Sequence, residues 1–151
     1  MSSESGPGPE LSRRLGYLFK HAAIRLHELH ARALAPFGID GRELGVLIVI
    51  DSHEPASQQQ AARRLGVDRT TMVAVLDVLE GKGLVFRRPH EEDRRRNVID
   101  LTDHGRETLR RAVRASDEAE GALLAALDPQ DRKRLRDALQ RIVAAGDPAE
   151  G

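Results

Sequence analysis

Apolar residues recur at spacings of three and four from Glu10 to about Ala35, at Leu11, Leu15, Leu18, Ala22, Leu26, Leu29 and Ala33. That period predicts one amphipathic helix. The Pro and Gly of "PFGIDG" interrupt it. From about Gly41 a second helix is expected, with Leu44, Val46, Leu47, Ile48, Val49 and Ile50. It is apolar on most sides and reads as the buried centre of the domain. After "DSHEP", Ser57 opens a short helix, because Ser57-Gln58-Gln59-Gln60 fits a capping box. Ala61, Ala62 and Leu65 form its small inner face, and Gly66 stops it. Asp68 is a suitable N-cap for the next helix, which carries Met72, Val75, Leu76 and Leu79 on one face and ends at Gly81 or Gly83.

The period then drops to two. Leu84 and Phe86 alternate with Val85 and Arg87, and Ile99 and Leu101 alternate with Val98 and Asp100. Each run predicts a half-buried strand. About eight polar residues separate them, "HEEDRRRN", more than the usual 2–5 of a tight hairpin. Thr102 starts a long helix over roughly 102–126, and Asp128-Pro129 supplies an N-cap and a first-position proline for a last helix carrying Leu135, Leu139, Ile142 and Val143. Residues 1–9 and 146–151 read as disordered tails around one domain, 10–145. The expected fold class is mainly α with a small β-wing.

A chain of 151 residues suits a single domain with a sizeable core. The absence of cysteine excludes a disulfide framework, a thiolate zinc site and a cysteine redox switch. No apolar run approaches the roughly 18 residues that would span a membrane. "MSSESGPGPE" lacks the apolar stretch of a signal peptide, so a soluble, cytoplasmic protein with no membrane partner is expected. No phosphate-binding glycine loop, nucleophile elbow or dinucleotide fingerprint occurs, so neither an enzyme nor a cofactor is expected.

Formal net charge is zero, but its distribution is uneven. Between Ser57 and Asn97 nine basic residues face six acidic ones, a local excess of +3, and the remainder carries −3. A basic face on an acidic scaffold points to nucleic acid. One other constellation bears on chemistry. "HELH", His27 to His30, is one residue short of a zincin motif, although its spacing still puts both imidazoles on one helix face. His21, His53, His90 and His104 are scattered, and surface or interface roles are the ordinary reading for such histidines.

A short helix, a tight glycine turn, an amphipathic helix and a two-stranded hairpin make a winged helix-turn-helix. The helix after the turn exposes Arg69, Thr70, Val73, Ala74 and Asp77, a face suited to a major groove. Its N-terminus carries free amides suited to a phosphate.

The stretch "QQQAARRLGVDRTTMVAVLDVLEGKGLVFRRPHEEDRRRNVIDLTDHG" resembles the MarR family of transcriptional regulators. The likeness rests on the Leu-Gly-Val-Asp-Arg turn, the Leu-Glu-x-x-Gly-Leu-Val passage into the wing, the Asp-x-Arg wing tip and the Leu-Thr that starts the following helix. With the order of the flanking helices it covers about residues 10–145. It implies a homodimer: 10–35 and 102–145 would be dimerisation helices, and each winged unit, 41–101, would enter one half of a pseudo-palindromic operator in double-stranded DNA. It also implies that Arg95 enters the minor groove, with Asp93 pairing with it and orienting it, while Arg94 and Arg96 serve phosphates. A repressor released by a small-molecule effector is implied, with a pocket between the dimerisation helices and the winged unit, often for aromatic acids or similar lipophiles. No residue here identifies that ligand.

The chain departs from the family at the recognition helix. Val73 and Ala74 stand where Thr and Arg are common, and Val78 where a polar or basic residue is. Val and Ala cannot hydrogen-bond base edges but can touch thymine methyls. Thr70 and Thr71 are then the expected polar contacts, Arg69 a backbone contact, and Ser57 and Gln58 phosphate contacts. Two other readings stay open: a metal-responsive regulator using the histidines, and a winged-helix protein-interaction module that does not read DNA.

Overall fold

The computed structural model describes residues 6–52, 56–93 and 97–146. Its elements are α1 (Gly8–Leu11), α2 (Leu15–Leu34), a short 3-10 turn (Ala35–Phe37), α3 (Gly41–Ser52), β1 (Ala56–Ser57), α4 (Gln58–Leu65), α5 (Arg69–Gly81), β2 (Val85–Pro89), β3 (Asn97–Leu101), α6 (Asp103–Leu123) and α7 (Pro129–Gly146). The strands form one antiparallel sheet in the order β1-β3-β2, with Val85 opposite Leu101 and Pro89 opposite Asn97.

The core is built on α3. Leu44, Val46, Leu47 and Ile50 are buried there, and Leu34, Met72, Leu76, Leu79, Leu84, Ile99 and Leu109 close around them. Asp40 starts α3 by accepting the Glu43 amide at 2.8 Å. Asp68, Thr102 and Asp128 cap α5, α6 and α7 in the same way, accepting the amides of Thr71, Gly105 and Asp131. Each bond satisfies an end donor that has no partner inside its helix. Away from this core, α2 packs along α6. His30 Nε2 meets Ser116 Oγ across that pair at 3.0 Å.

Several expectations need correction. The continuous helix over 10–35 is two helices. Arg14 is extended, at ψ 136, and α1 begins within the stretch read as a tail, with Pro9 in its first turn. The Ser12 hydroxyl bonds back to the Pro9 carbonyl at 3.2 Å, a local bond that competes with helix continuation. Ser57 stands directly before α4, the position the sequence gives it, and is also part of a strand that the sequence does not predict. It belongs to β1, where Ala56 and Ser57 pair with Ile99 and Val98, and α4 begins at Gln58. The capping box of Ser57-Gln58-Gln59-Gln60 lies outside the described side chains. The long helix is Asp103–Leu123, shorter than 102–126. In the wing Val85 is buried and Phe86 faces outward, while Leu84 is buried ahead of the strand. The inward phase is therefore that of Val85 and Arg87, not of Phe86.

Two left-handed glycines set the junctions. Gly66, at φ 65, ends α4, and the Val67 amide reaches the Ala62 carbonyl at 3.1 Å. Gly83, at φ 74, ends α5, and the Leu84 amide reaches the Leu79 carbonyl at 3.0 Å. Both follow the left-handed cap logic that removes the Cβ penalty. A third glycine is held by space. A Cβ on Gly105 would overlap the Leu84 carbonyl oxygen, which also accepts the Thr102 amide at 3.1 Å. Gly105→Ala is therefore expected to destabilise the fold by about 1–3 kcal/mol or more, because backbone must move. Gly81→Ala, where a Cβ meets open space, is the control and should be neutral or stabilising. Urea denaturation of the two variants checks this, and equal midpoints would show that the junction yields without cost.

Candidate nucleic-acid interface

The helix-turn-helix consists of α4, the Gly66–Asp68 turn and α5. Met72, Leu76 and Leu79 fix α5 in the core. Its opposite face leaves Arg69, Thr70, Ala74 and Asp77 exposed, with Val73 half-buried beside them. Thr71 is placed differently. It is half-buried and lines an apolar groove with Leu65, Val67, Met72 and Val75, bounded by Gly41 and Arg42. Arg63 and Arg64 are exposed on α4. Ser57 lies on β1 and Gln58 opens α4.

The N-terminus of α5 is already occupied by a charge. The Asp68 carboxylate accepts the Thr71 amide at 2.6 Å. That backbone bond, then the Thr71 hydroxyl, hold its pKa below the ordinary 3.8, with Arg42 adding a smaller pull. The cap puts a carboxylate where the sequence reading put a phosphate. Arg42 comes from the start of α3, so nothing in its local sequence connects it to the recognition helix.

The wing joins the recognition helix through Arg87. Its guanidinium bonds Asp77 at 2.6 Å, and its Nε lies 3.8 Å from Glu80. That Nε is buried and makes no hydrogen bond among the described residues. Asp77, expected on the DNA-facing side, thus serves to brace β2 against α5. Lys82 braces the other side, reaching the Gly38 carbonyl and Glu43 at 2.6 Å each. At the wing's turn, Glu91, Glu92 and Asp93 are exposed, and His90 Nδ1 accepts the amides of Glu92 at 3.0 Å and Asp93 at 3.3 Å. The sequence reading missed Arg87 and His90. Arg87 sits on the inward phase of a strand, which is a signal. His90 begins a polar turn, two and three residues ahead of the Glu92 and Asp93 amides, the position where a side-chain acceptor caps a turn. Arg94, Arg95 and Arg96 lie outside the described residues, and so does the pairing of Asp93 with Arg95.

The histidines do not gather. Among the described residues no group of three His, Asp or Glu is placed to hold a metal ion. No helix among them is long and apolar enough to cross a membrane.

An exposed recognition helix, braced to a β-wing and carried on long helices, defines a winged helix-turn-helix DNA-binding protein. The MarR family profile matches residues 37–96. The transcriptional repressor CouR bound to a 23-mer DNA duplex is 36% identical, with a TM-score of 0.85 over 89% of this chain and 96% of that one. The CouR of Rhodococcus jostii RHA1 bound to p-coumaroyl-CoA is 27% identical, with a TM-score of 0.80 over 93% and 99% of the two chains. The uncharacterised HTH-type transcriptional regulator YdgJ of Bacillus subtilis (strain 168) is 30% identical over 105 residues, 70% of this chain and 64% of that protein's length. The chain belongs to the MarR family of winged-helix transcriptional regulators, DNA-binding proteins that are not enzymes.

Two measurements follow from the geometry. Thr70→Ala should weaken cognate DNA far more than random DNA, by roughly 1–3 kcal/mol, because base contacts carry specificity. Thr71→Ala, from the half-buried position, should discriminate less. Equal losses of Thr70→Ala on both DNAs would confine Thr70 to phosphate. The second concerns acid. Because the pKa of Asp68 is lowered in the folded chain, the cap contributes in full above its ordinary value and is lost as pH falls through the folded one. The stability gap between the native protein and Asp68→Asn should be constant near neutrality and close in acid. A gap that stays open at the acid end would show that the carboxylate charge is not what the cap uses.

Proposed function

We propose that this chain is a homodimeric transcriptional repressor that binds a pseudo-palindromic operator and is released by a small-molecule ligand. The observation that carries the dimer is the set of apolar faces left uncovered outside the winged unit. Leu11 on α1, Leu15, Leu18, Phe19 and Ile24 on α2, and Leu135, Ile142 and Val143 on α7 are all exposed, and α7 buries no residue. Patches of this kind mark interaction sites. A second copy is self-complementary by symmetry, and it would cover the flanking helices while leaving α5 free. Burying them costs nothing in DNA contact.

Each protomer then offers one α5 to one major groove, with half-sites about one helical turn apart, 10–10.5 bp centre to centre. Thr70 with the apolar Val73 and Ala74 reads bases, and Arg69, Ser57 and Gln58 hold the backbone. Asp93, Arg94, Arg95 and Arg96 serve the wing, with Arg95 in the minor groove. A ligand releases the protein only if it favours a spacing of the two α5 helices that no longer fits both grooves. p-Coumaroyl-CoA, the molecule bound to the CouR of Rhodococcus jostii RHA1, is the first effector to test, followed by free aromatic acids. A metal-responsive mechanism is less favoured, since His30 is engaged with Ser116.

Selection of duplexes from random DNA by the purified protein, followed by footprinting with and without these ligands, tests the reading. A module that only binds proteins would select no sequence. Sedimentation should give a dimer at micromolar concentration, and a stable, folded monomer would overturn that part. Arg95→Ala should lower the slope of log affinity against log salt by about two units, one cation lost from each wing of a dimer. An unchanged slope would remove Arg95 from the interface.

A further inference from the structure

We propose that His90 is the positioning residue of the wing, and that it works through one neutral tautomer of its imidazole. The proposal rests on the reading that the wing enters DNA, and it assigns the residue that aims it. The strand ladder of the wing closes at Pro89 opposite Asn97. Beyond it the chain runs out through residues 90–93 toward the arginines at 94–96. Pro89 carries no N–H, so the backbone leaves the ladder without a donor at that point. The first group that can set its direction is the His90 side chain.

Two donors converge on one atom there. Nδ1 of His90 lies 3.0 Å from the Glu92 amide and 3.3 Å from the Asp93 amide. Backbone amides only donate, so Nδ1 must accept and can carry no proton. The proton of the neutral ring is then on Nε2. The arrangement does what an Asn or Asp side chain does at the head of a turn, bonding amides two and three residues on. His90 is also half-buried while Glu91, Glu92 and Asp93 are exposed. It lines a shallow concavity with Arg88 and Val98 of the wing strands. The ring is therefore seated beside the paired end of the wing strands, and the amides of the following turn bond to it. Loop entropy otherwise opposes any single direction for the tip, at about 1–2 kcal/mol for each residue fixed. A tip aimed beforehand does not have to be ordered on binding DNA.

The test uses the full chain, a duplex selected from random DNA by the native protein, and the variants His90→Ala and His90→Asn. His90→Ala should bind that duplex about tenfold more weakly, the equivalent of 1.4 kcal/mol, with an unchanged melting temperature. His90→Asn places an acceptor at the same turn and should restore most of the affinity. Nitrogen-15 spectra of the histidine rings, taken without DNA at mildly alkaline pH, should show His90 with the proton on Nε2. The Glu92 and Asp93 amides should shift in His90→Ala and return toward native positions in His90→Asn. A His90 ring protonated on Nδ1, or a His90→Ala variant that binds as tightly as the native protein, would overturn the proposal. The ring and amide spectra need no DNA. A protein that selects no duplex would refute the DNA reading while leaving the turn-holding role to be decided by the spectra.

Discussion

The carbonyl of Leu84 is the point on which the arrangement of this protein turns. It accepts the Thr102 amide, and the Cα of Gly105 closes against it. The amide of the same residue is tied to the end of α5 through Leu79. The Thr102 hydroxyl completes the junction by donating to the Gly83 carbonyl at 2.6 Å. One residue, Leu84, with the carbonyl before it, thus joins the end of the recognition helix, the start of the wing and the start of α6. The close approach is possible only because residue 105 has no side chain. The consequence is mechanical: a displacement of α6 is passed to the base of the wing and to the end of α5 together, since no loop lies between them to absorb it.

Charge reinforces that joint before it serves DNA. The excess of +3 over residues 57–97 overstates what is available to phosphate. Arg87 is committed to Asp77 and Glu80, and Lys82 to Glu43 and the Gly38 carbonyl. Ion pairs with an exposed partner contribute little to stability, with a median of about 0–1 kcal/mol. Their value here is geometric, because one brace fixes β2 on α5 and the other fixes α5 on the turn before α3. Arg42, Arg63, Arg64 and Arg69 are exposed, and on the proposed reading they are the cations left to meet the DNA backbone. The acidic cap Asp68 stands among them and makes the helix N-terminus a poor anion site. Backbone affinity therefore has to come from side chains rather than from the helix dipole.

Much of this was legible in the residues, where the rule at work is local. Asp68, Thr102 and Asp128 are capping residue types at the right offset from a helical period, and all three cap. The buried face of α5 follows from Met72, Leu76 and Leu79, and its exposed face follows by subtraction. What was hidden depends on partners distant in sequence or on a conflict of local rules. The spacing of Leu11 and Leu15 continues straight through the break at Arg14, so periodicity cannot see it. A two-residue strand such as Ala56–Ser57 has no period at all and exists only because β3 offers it an edge. Asp77 read as part of a DNA-facing surface because only the fold brings Arg87 to it. The wing strands do not keep the expected alternation: Leu84 and Val85 are both buried, as are Val98 and Ile99, while Phe86 faces outward, and Leu84 is enclosed by the junction rather than by the sheet.

For the ligand release we propose, the junction offers a route from the flanking helices to α5. The α2 and α6 helices pack on each other and are bonded through His30 and Ser116. The α6 helix in turn starts at the Leu84 joint. A small molecule seated against α2 or α6 need not reach α5 to move it. It needs only to favour one tilt of α6 over another, by as much as its affinity differs between the two. In the dimer we propose, a change in the tilt of α6 would alter the spacing of the two α5 helices and so their fit to both grooves. The wing is tied to α5 through Arg87 and Leu84, so the aim of its tip is a matter for the wing's own turn. The turn after Pro89 is where the backbone first leaves the ladder, and the side chain that gathers its amides there is His90.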